Sequence, residues 1–225
     1  MKLISIVGSP HGEKGSTAKL VNEVLKGAES MGATHETIIL KGDTVAPCRG
    51  CDLCHIKGFC AQKDFFQEIV QKISDADGVI LGSPNYIFSV SAQLKAFIDR
   101  CCGIIHCQRF MGKYGVSVVT SGGGDEEPIA DYMNHFMITT GIVPVGSVWA
   151  TMGMIEGDAF PEDITENAFE LGRRLVESWT AKTVDPVVKE KLDSFHQRMR
   201  WLMTYRKAEW PFEYNYWVTH YGLTI

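Results

Sequence analysis

The stretch Leu3 to Leu20, LISIVGSPHGEKGSTAKL, most constrains what this chain can fold into. Leu3 to Val7 is a short apolar run rich in β-branched residues, the composition of a buried strand. Gly8 to Gly15 is a loop with three glycines and a proline. Ser16-Thr17 then opens a helical pattern with Leu20, Val21, Val24, Leu25 and Met31 on one face. Strand, Gly-rich loop and helix N-terminus together make a phosphate-binding geometry. Free backbone N–H groups and the positive end of the helix dipole converge there, and Ser9, Ser16 and Thr17 add hydroxyls.

The type of phosphate follows from what the loop lacks. A Walker A loop needs Gly-Lys-Ser/Thr, but Lys14 precedes Gly15. A dinucleotide loop needs G-x-G-x-x-G and an acid closing the second strand. Gly8, Gly12 and Gly15 do not give that spacing, and the second strand, His35 to Leu40, ends at Lys41. A hydroxyl-lined loop for a single phosphate monoester fits better, as in flavodoxin-like folds that bind FMN. An ordinary strand-to-helix connection is the plain alternative.

The rest of the chain repeats the alternation. A loop from Lys41 to Lys63 carries four cysteines. Asp64 can cap a helix with Phe66, Ile69, Val70 and Ile73 inward. Gly78–Gly82, Tyr114–Thr120 and Ile142–Trp149 read as further strands. Helical patterns lie between them, one with Val90, Leu94, Phe97, Ile98 and Cys101, the next from Pro128 to a stop at Gly141. The expected fold is α/β, a flavodoxin-like doubly wound five-stranded parallel sheet with a C-terminal helical extension. The expected division is residues 1–157 for the sheet domain and 158–225 for the extension. There, Ala168, Leu171, Leu175 and Trp179 share one helix face. Asp185-Pro186 caps another helix, with Val188, Leu192, Phe195, Met199 and Leu202 inward. The tail Trp210–Tyr221 is dense in aromatics and must bury against its own domain or a partner subunit.

With 225 residues and 45% hydrophobic content, the chain has material for one large core. A net charge of −5 argues against a nucleic-acid partner, and no basic block suggests a membrane surface. Met1-Lys2 runs straight into the first strand, so the expected location is cytoplasmic. Structural disulfides among the seven cysteines are not expected there.

In a doubly wound sheet the ligand lies beyond the carboxyl ends of the strands, at the switch point. Three loops occupy that edge. The first holds the phosphate. Ser83–Phe88 (SPNYIF) offers Pro84 for stiffness and Tyr86 and Phe88 beside an aromatic ring. Ser121–Gly124 lets backbone N–H groups approach closely.

These segments, GSPHGEKGST, PCRGCDLCHIKGFC, GSPNYIFSVSAQLKAFIDR and VVTSGGG, resemble in order and spacing the NADPH-dependent FMN reductase superfamily, and its iron–sulfur flavoprotein branch most closely. The resemblance covers about Met1 to Gly124. It implies a flavodoxin-like fold, non-covalent FMN, and a homodimer or homotetramer. The candidate cofactor-binding set is Ser9, His11, Gly15, Ser16, Thr17, Pro84, Asn85, Tyr86, Ile87, Phe88, Ser121, Gly122 and Gly123. Asp64-Phe65-Phe66 departs from relatives that carry paired acids, which bears on helix capping.

Cys48, Cys51, Cys54 and Cys60 have the spacing C-x2-C-x2-C-x5-C. Successive x2 gaps let neighbouring thiolates reach different irons of one cubane, so the run reads as a [4Fe–4S] ligand set. Free thiols or a disulfide, and a zinc site that could draw in His55, are the alternatives. Cys101, Cys102 and Cys107, with His106 between, suit neither a cluster nor zinc by spacing, and core packing is the expectation. His35, His135 and His196 are read as structural.

Three functions follow. An FMN-dependent oxidoreductase would relay electrons between the cluster, fed by a ferredoxin-type donor, and FMN. Without a cluster, NAD(P)H would be the substrate that reduces FMN for quinone or free flavin. A non-enzymatic flavin-binding redox sensor is the third. FMN carries the chemistry in each enzyme reading, so no catalytic acid, base or nucleophile is expected.

Overall fold

The computed structural model describes residues 1–157 and 159–224. Asp158, the first residue of the expected extension, lies outside the described residues. Five strands, β1 (Lys2–Val7), β2 (Thr34–Ile39), β3 (Gly78–Pro84), β4 (Tyr114–Ser121) and β5 (Val143–Thr151), form one sheet in the order β2-β1-β3-β4-β5. Every pairing is parallel, so each connection crosses over the sheet. β3 and β4 are buried along their whole lengths. They are central strands covered on both faces, hence their unbroken apolar runs. β2 lies at an edge and is mostly exposed, which is why its pattern is weak. It runs Thr34–Ile39 rather than His35–Leu40, with Leu40 just beyond the strand.

Two cores flank the sheet. On one face α3 (Phe66–Ser74), α4 (Ala92–Asp99) and α6 (Glu126–Thr140) bury Phe66, Ile69, Leu94, Phe97, Met133 and Phe136 against Ile4, Ile6, Val79, Leu81 and Val119. On the other, α1 (Ser16–Ser30) and α7 (Glu162–Ala181) bury Val21, Val24, Leu171 and Leu175 against Leu3, Val7, Ile80 and Val118. Each fully buried aliphatic side chain contributes about 1.5–3 kcal/mol. α1 and α7 touch backbone to backbone. A Cβ on Gly27 would sit 1.9 Å from Phe169 O, and one on Gly172 would sit 1.9 Å from Val24 O. Met31, expected on the inner face, instead follows the end of α1 and is exposed.

The helix after β3 is divided. α4 ends at Asp99, and α5 (Cys102–Cys107) restarts it after Arg100 and Cys101. α6 begins two residues before Pro128 and ends at Gly141, whose φ of +93° favours glycine. Asp185 caps α8 (Pro186–Tyr205), its side chain accepting from the N–H groups of Val187 and Val188. The aromatic tail is a further helix, α9 (Pro211–Tyr221). It docks on its own chain: Trp217 is fully buried and its Nε1 donates to His106 O at 2.8 Å. Tyr221 Oη donates to Cys107 O at 3.1 Å. Among the described residues no helix is long and apolar enough to cross a membrane.

Candidate cofactor and metal sites

The sheet order puts the switch point between β1 and β3, and the loops after β1, β3 and β4 gather there. The first is closed by its own backbone. Gly12 N–H donates to Ser9 O at 3.0 Å and Gly15 N–H to Gly12 O at 3.2 Å. The turn is tight enough that a Cβ on Gly15 would come 2.9 Å from His11 Cβ and 3.1 Å from Ser9 Oγ. Gly15 offers α1 no side-chain acceptor, so the first-turn N–H groups face out of the helix end unpaired by a cap. Ser16 is half-buried and His11 exposed, while Ser9 and Thr17 are buried. The Thr17 hydroxyl is engaged with Thr120 Oγ1 at 2.7 Å, which ties α1 to β4 instead of leaving it free.

The second and third loops are bound to each other. Asn85 N–H donates to Thr120 O at 2.7 Å, and its Nδ2 donates to Gly124 O at 3.0 Å and Asp125 O at 3.3 Å. Asn85 Oδ1 is buried and has no donor among the described residues. Ile87 and Phe88 hold φ of +49° and +60°, a costly conformation for a β-branched and an aromatic residue. They and Tyr86 are exposed, Ile87 to 90%. Ser121 Oγ accepts from Gly124 N–H at 2.8 Å and donates to Glu126. Thr151 Oγ1 donates to the same carboxylate at 2.6 Å. Burial opposes the charge of Glu126, but these hydrogen bonds prevail and its pKa lies below the usual value. Nothing lies within 4 Å of a Cβ placed on Gly122 or Gly123. An uncapped helix end, an acceptor lacking a donor and open space over the glycines fit FMN: its phosphate would lie at α1, and its ring among these loops.

The cysteine loop leaves the same edge after β2 and contains α2 (Leu53–Lys57). Cys48 and Cys51 are exposed, Cys54 and Cys60 half-buried, all four as free thiols. Arg100, absent from the sequence expectations, organises this loop. Its buried guanidinium is paired with Asp64, donates to Ala46 O at 3.2 Å and to Cys60 Sγ at 3.3 Å, and lies over the Phe66 ring. Asp64 also accepts from the N–H groups of Ala46 and Phe66. Burial pushes the Asp64 pKa up, but Arg100 and these N–H groups outweigh it and hold the carboxyl below its usual range. Burial, then the Glu213 carboxylate, pushes the Cys54 thiol up, so a cation is needed to ionise it. Four sulfurs on one zinc would stand about 3.8 Å apart. Among the described residues the one set of metal-capable groups converging within 4.8 Å is His55, Cys102 and His106, so no three of these four sulfurs approach so closely. The chemistry of the donor set, four thiols at C-x2-C-x2-C-x5-C spacing, fits a cubane, whose ligands sit on separate corners.

Cys101 and Cys107 are core residues, as expected, whereas Cys102 is not. Its Sγ stands 4.0 Å from His55 Nε2 and 3.9 Å from His106 Nε2. Burial, then Cys54, pushes its thiol up to about 12. The Nδ1 atoms of the two histidines lie 2.8 and 3.1 Å from Glu213 Oε1. Trp210 stacks on both rings.

The NADPH-dependent FMN reductase family model matches residues 1–156. An iron–sulfur flavoprotein of Archaeoglobus fulgidus is 35% identical over 216 residues, covering 94% of this chain and 97% of that protein. One of Methanocaldococcus jannaschii is 37% identical, covering 79% of this chain and 96% of its own length. In structure, a flavone reductase superposes with a TM-score of 0.64 at 17% identity, over 82% of this chain and 65% of that one, a likeness of fold alone. The order of the strands, the three loops at the switch point and the match over residues 1–156 agree: the chain belongs to the NADPH-dependent FMN reductase family.

Proposed function

We propose that this FMN-dependent oxidoreductase relays electrons between a [4Fe–4S] cluster held by Cys48, Cys51, Cys54 and Cys60 and FMN held by the loops after β1, β3 and β4. The observation that carries the reading is the placement of the cysteine loop on the same sheet edge as the phosphate loop. The side chain of Lys41, where the cysteine loop begins, lies against Gly12. The names of the two relatives support it. Bound FMN and cluster supply the electron chemistry. The protein's part is to hold them. The uncapped end of α1 neutralises a phosphate, Asn85 and the Ser121–Gly123 backbone orient a ring, and Arg100 places a positive charge beside Cys60. A ferredoxin-type protein is the donor this arrangement suits, and free thiols suit a reducing compartment such as the cytoplasm. Exposed Tyr86, Ile87 and Phe88 beside the flavin loops support a homodimer or homotetramer formed across that edge.

The test is anaerobic purification with iron, sulfide and flavin analysis. Four irons and four sulfides per chain, from the cubane stoichiometry, beside one FMN support the relay. Reconstituted protein with FMN and no iron would leave the second reading, direct reduction of FMN by NAD(P)H, which the family's own description favours.

A further inference from the structure

Three segments far apart in sequence bring their polar side chains to one point. His55 comes from the cysteine loop, Cys102 and His106 from successive turns of α5, and Glu213 from α9. Glu213 is fully buried. Its Oε1 accepts from both Nδ1 atoms, and its Oε2 has no partner among the described residues. With Nδ1 of each ring taken up by Glu213, Nε2 is the ring nitrogen that each histidine turns toward the Cys102 sulfur. A buried carboxylate behind two imidazoles, with a thiol in front, orients ligands toward a shared centre.

We propose that His55, Cys102 and His106 form a second metal site, separate from the four-cysteine run, that takes one divalent cation of borderline softness, zinc first, with Glu213 as the carboxylate behind both imidazoles. Nitrogen and sulfur ligands on tetrahedral zinc stand about 3.5 Å apart, from bond lengths near 2.0 and 2.3 Å. The observed 3.9 and 4.0 Å need to shorten by only a few tenths of an ångström. The fourth position falls to Asp52, whose exposed carboxylate stands 3.8 Å from His55 Nε2, or to water. Binding would staple the cysteine loop, α5 and α9 to one another, with Trp210 as a cover over both rings.

The proposal stands whether or not the cysteine run holds a cluster, and its test keeps the two apart. Protein carrying FMN and reconstituted iron–sulfur is equilibrated with zinc, desalted, and analysed for zinc, iron and flavin. One zinc per chain is expected, with X-ray absorption at the zinc edge showing one sulfur and imidazole nitrogens. Cys102→Ser and His106→Ala should each lose the zinc and keep iron and FMN. Glu213→Gln should weaken zinc binding about 10–100-fold, the usual effect of removing a carboxylate behind a ligating histidine. No zinc in the wild type, four sulfur neighbours on it, retention of zinc in Cys102→Ser, or loss of iron with zinc in that variant would each overturn the site. Should the variants fail to keep FMN, the absorption spectrum of the wild type decides alone.

Discussion

At the scale of the residue, Ser16 and Cys51 make separable predictions. Ser16 is half-buried at the open end of α1. Ser16→Ala should weaken FMN binding about tenfold or more, since a hydrogen bond to a charged group contributes about 1.5–3 kcal/mol. Flavin fluorescence titration reads it directly, and equal affinity for riboflavin and FMN would remove the phosphate from the picture. Cys51 is exposed. Cys51→Ala should therefore abolish iron binding and leave FMN affinity unchanged, as elemental analysis beside flavin absorbance would record. The phosphate loop and the cysteine run were legible because each is a local string whose spacing states its chemistry. Arg100 and Glu213 were not. Arg100 reads as the polar end of an amphipathic helix, and only the fold brings it to Asp64 and Cys60. Glu213 lies 158 positions from His55, and no local signal links them.

At the scale of the element, the half-buried Asp64 ties the cysteine loop to Arg100, and the buried Glu126 ties α6 to the ends of β4 and β5. Asp64→Asn leaves the Arg100 guanidinium buried beside a neutral partner. The expected loss is roughly 3–5 kcal/mol, the range for breaking a buried pair, measured by urea unfolding. Asp64 and Glu126 both have folded pKa values below their ordinary 3.8 and 4.5. Each therefore contributes stability that is complete above those values and is lost as pH falls through the lower folded ones. The urea midpoint should drop as pH is lowered from about 6 to about 3, and Glu126→Gln should flatten that slope. The elements with strong apolar runs, β1, β3 and β4, were readable because both faces are covered. α5 was not, because the break after Asp99 carries no Gly or Pro to mark it in the sequence.

At the scale of the whole molecule, the tail and the flavin edge separate into two roles. α9 is spent on its own chain, burying Trp217 and Glu213. Truncation after Glu209 should lower the melting temperature of the chain even where its mass in solution is unchanged. Assembly is expected instead at the exposed Tyr86–Phe88 tip, and Ile87→Glu should reduce the molar mass measured by light scattering without loss of fold. An unchanged mass would move the interface elsewhere.

The close packing of Gly27 on the Phe169 backbone and of Gly172 on the Val24 backbone reaches further than its position suggests. At these two glycines no side chain separates α1 from α7, so there is no soft layer there to absorb a shift, and α1 would move as a rod. The rod's other end, about 16 Å away at 1.5 Å per residue, is the phosphate-facing end at Ser16. A single methyl at Gly172 would therefore act as a wedge, and its displacement would be delivered to a cofactor it never touches.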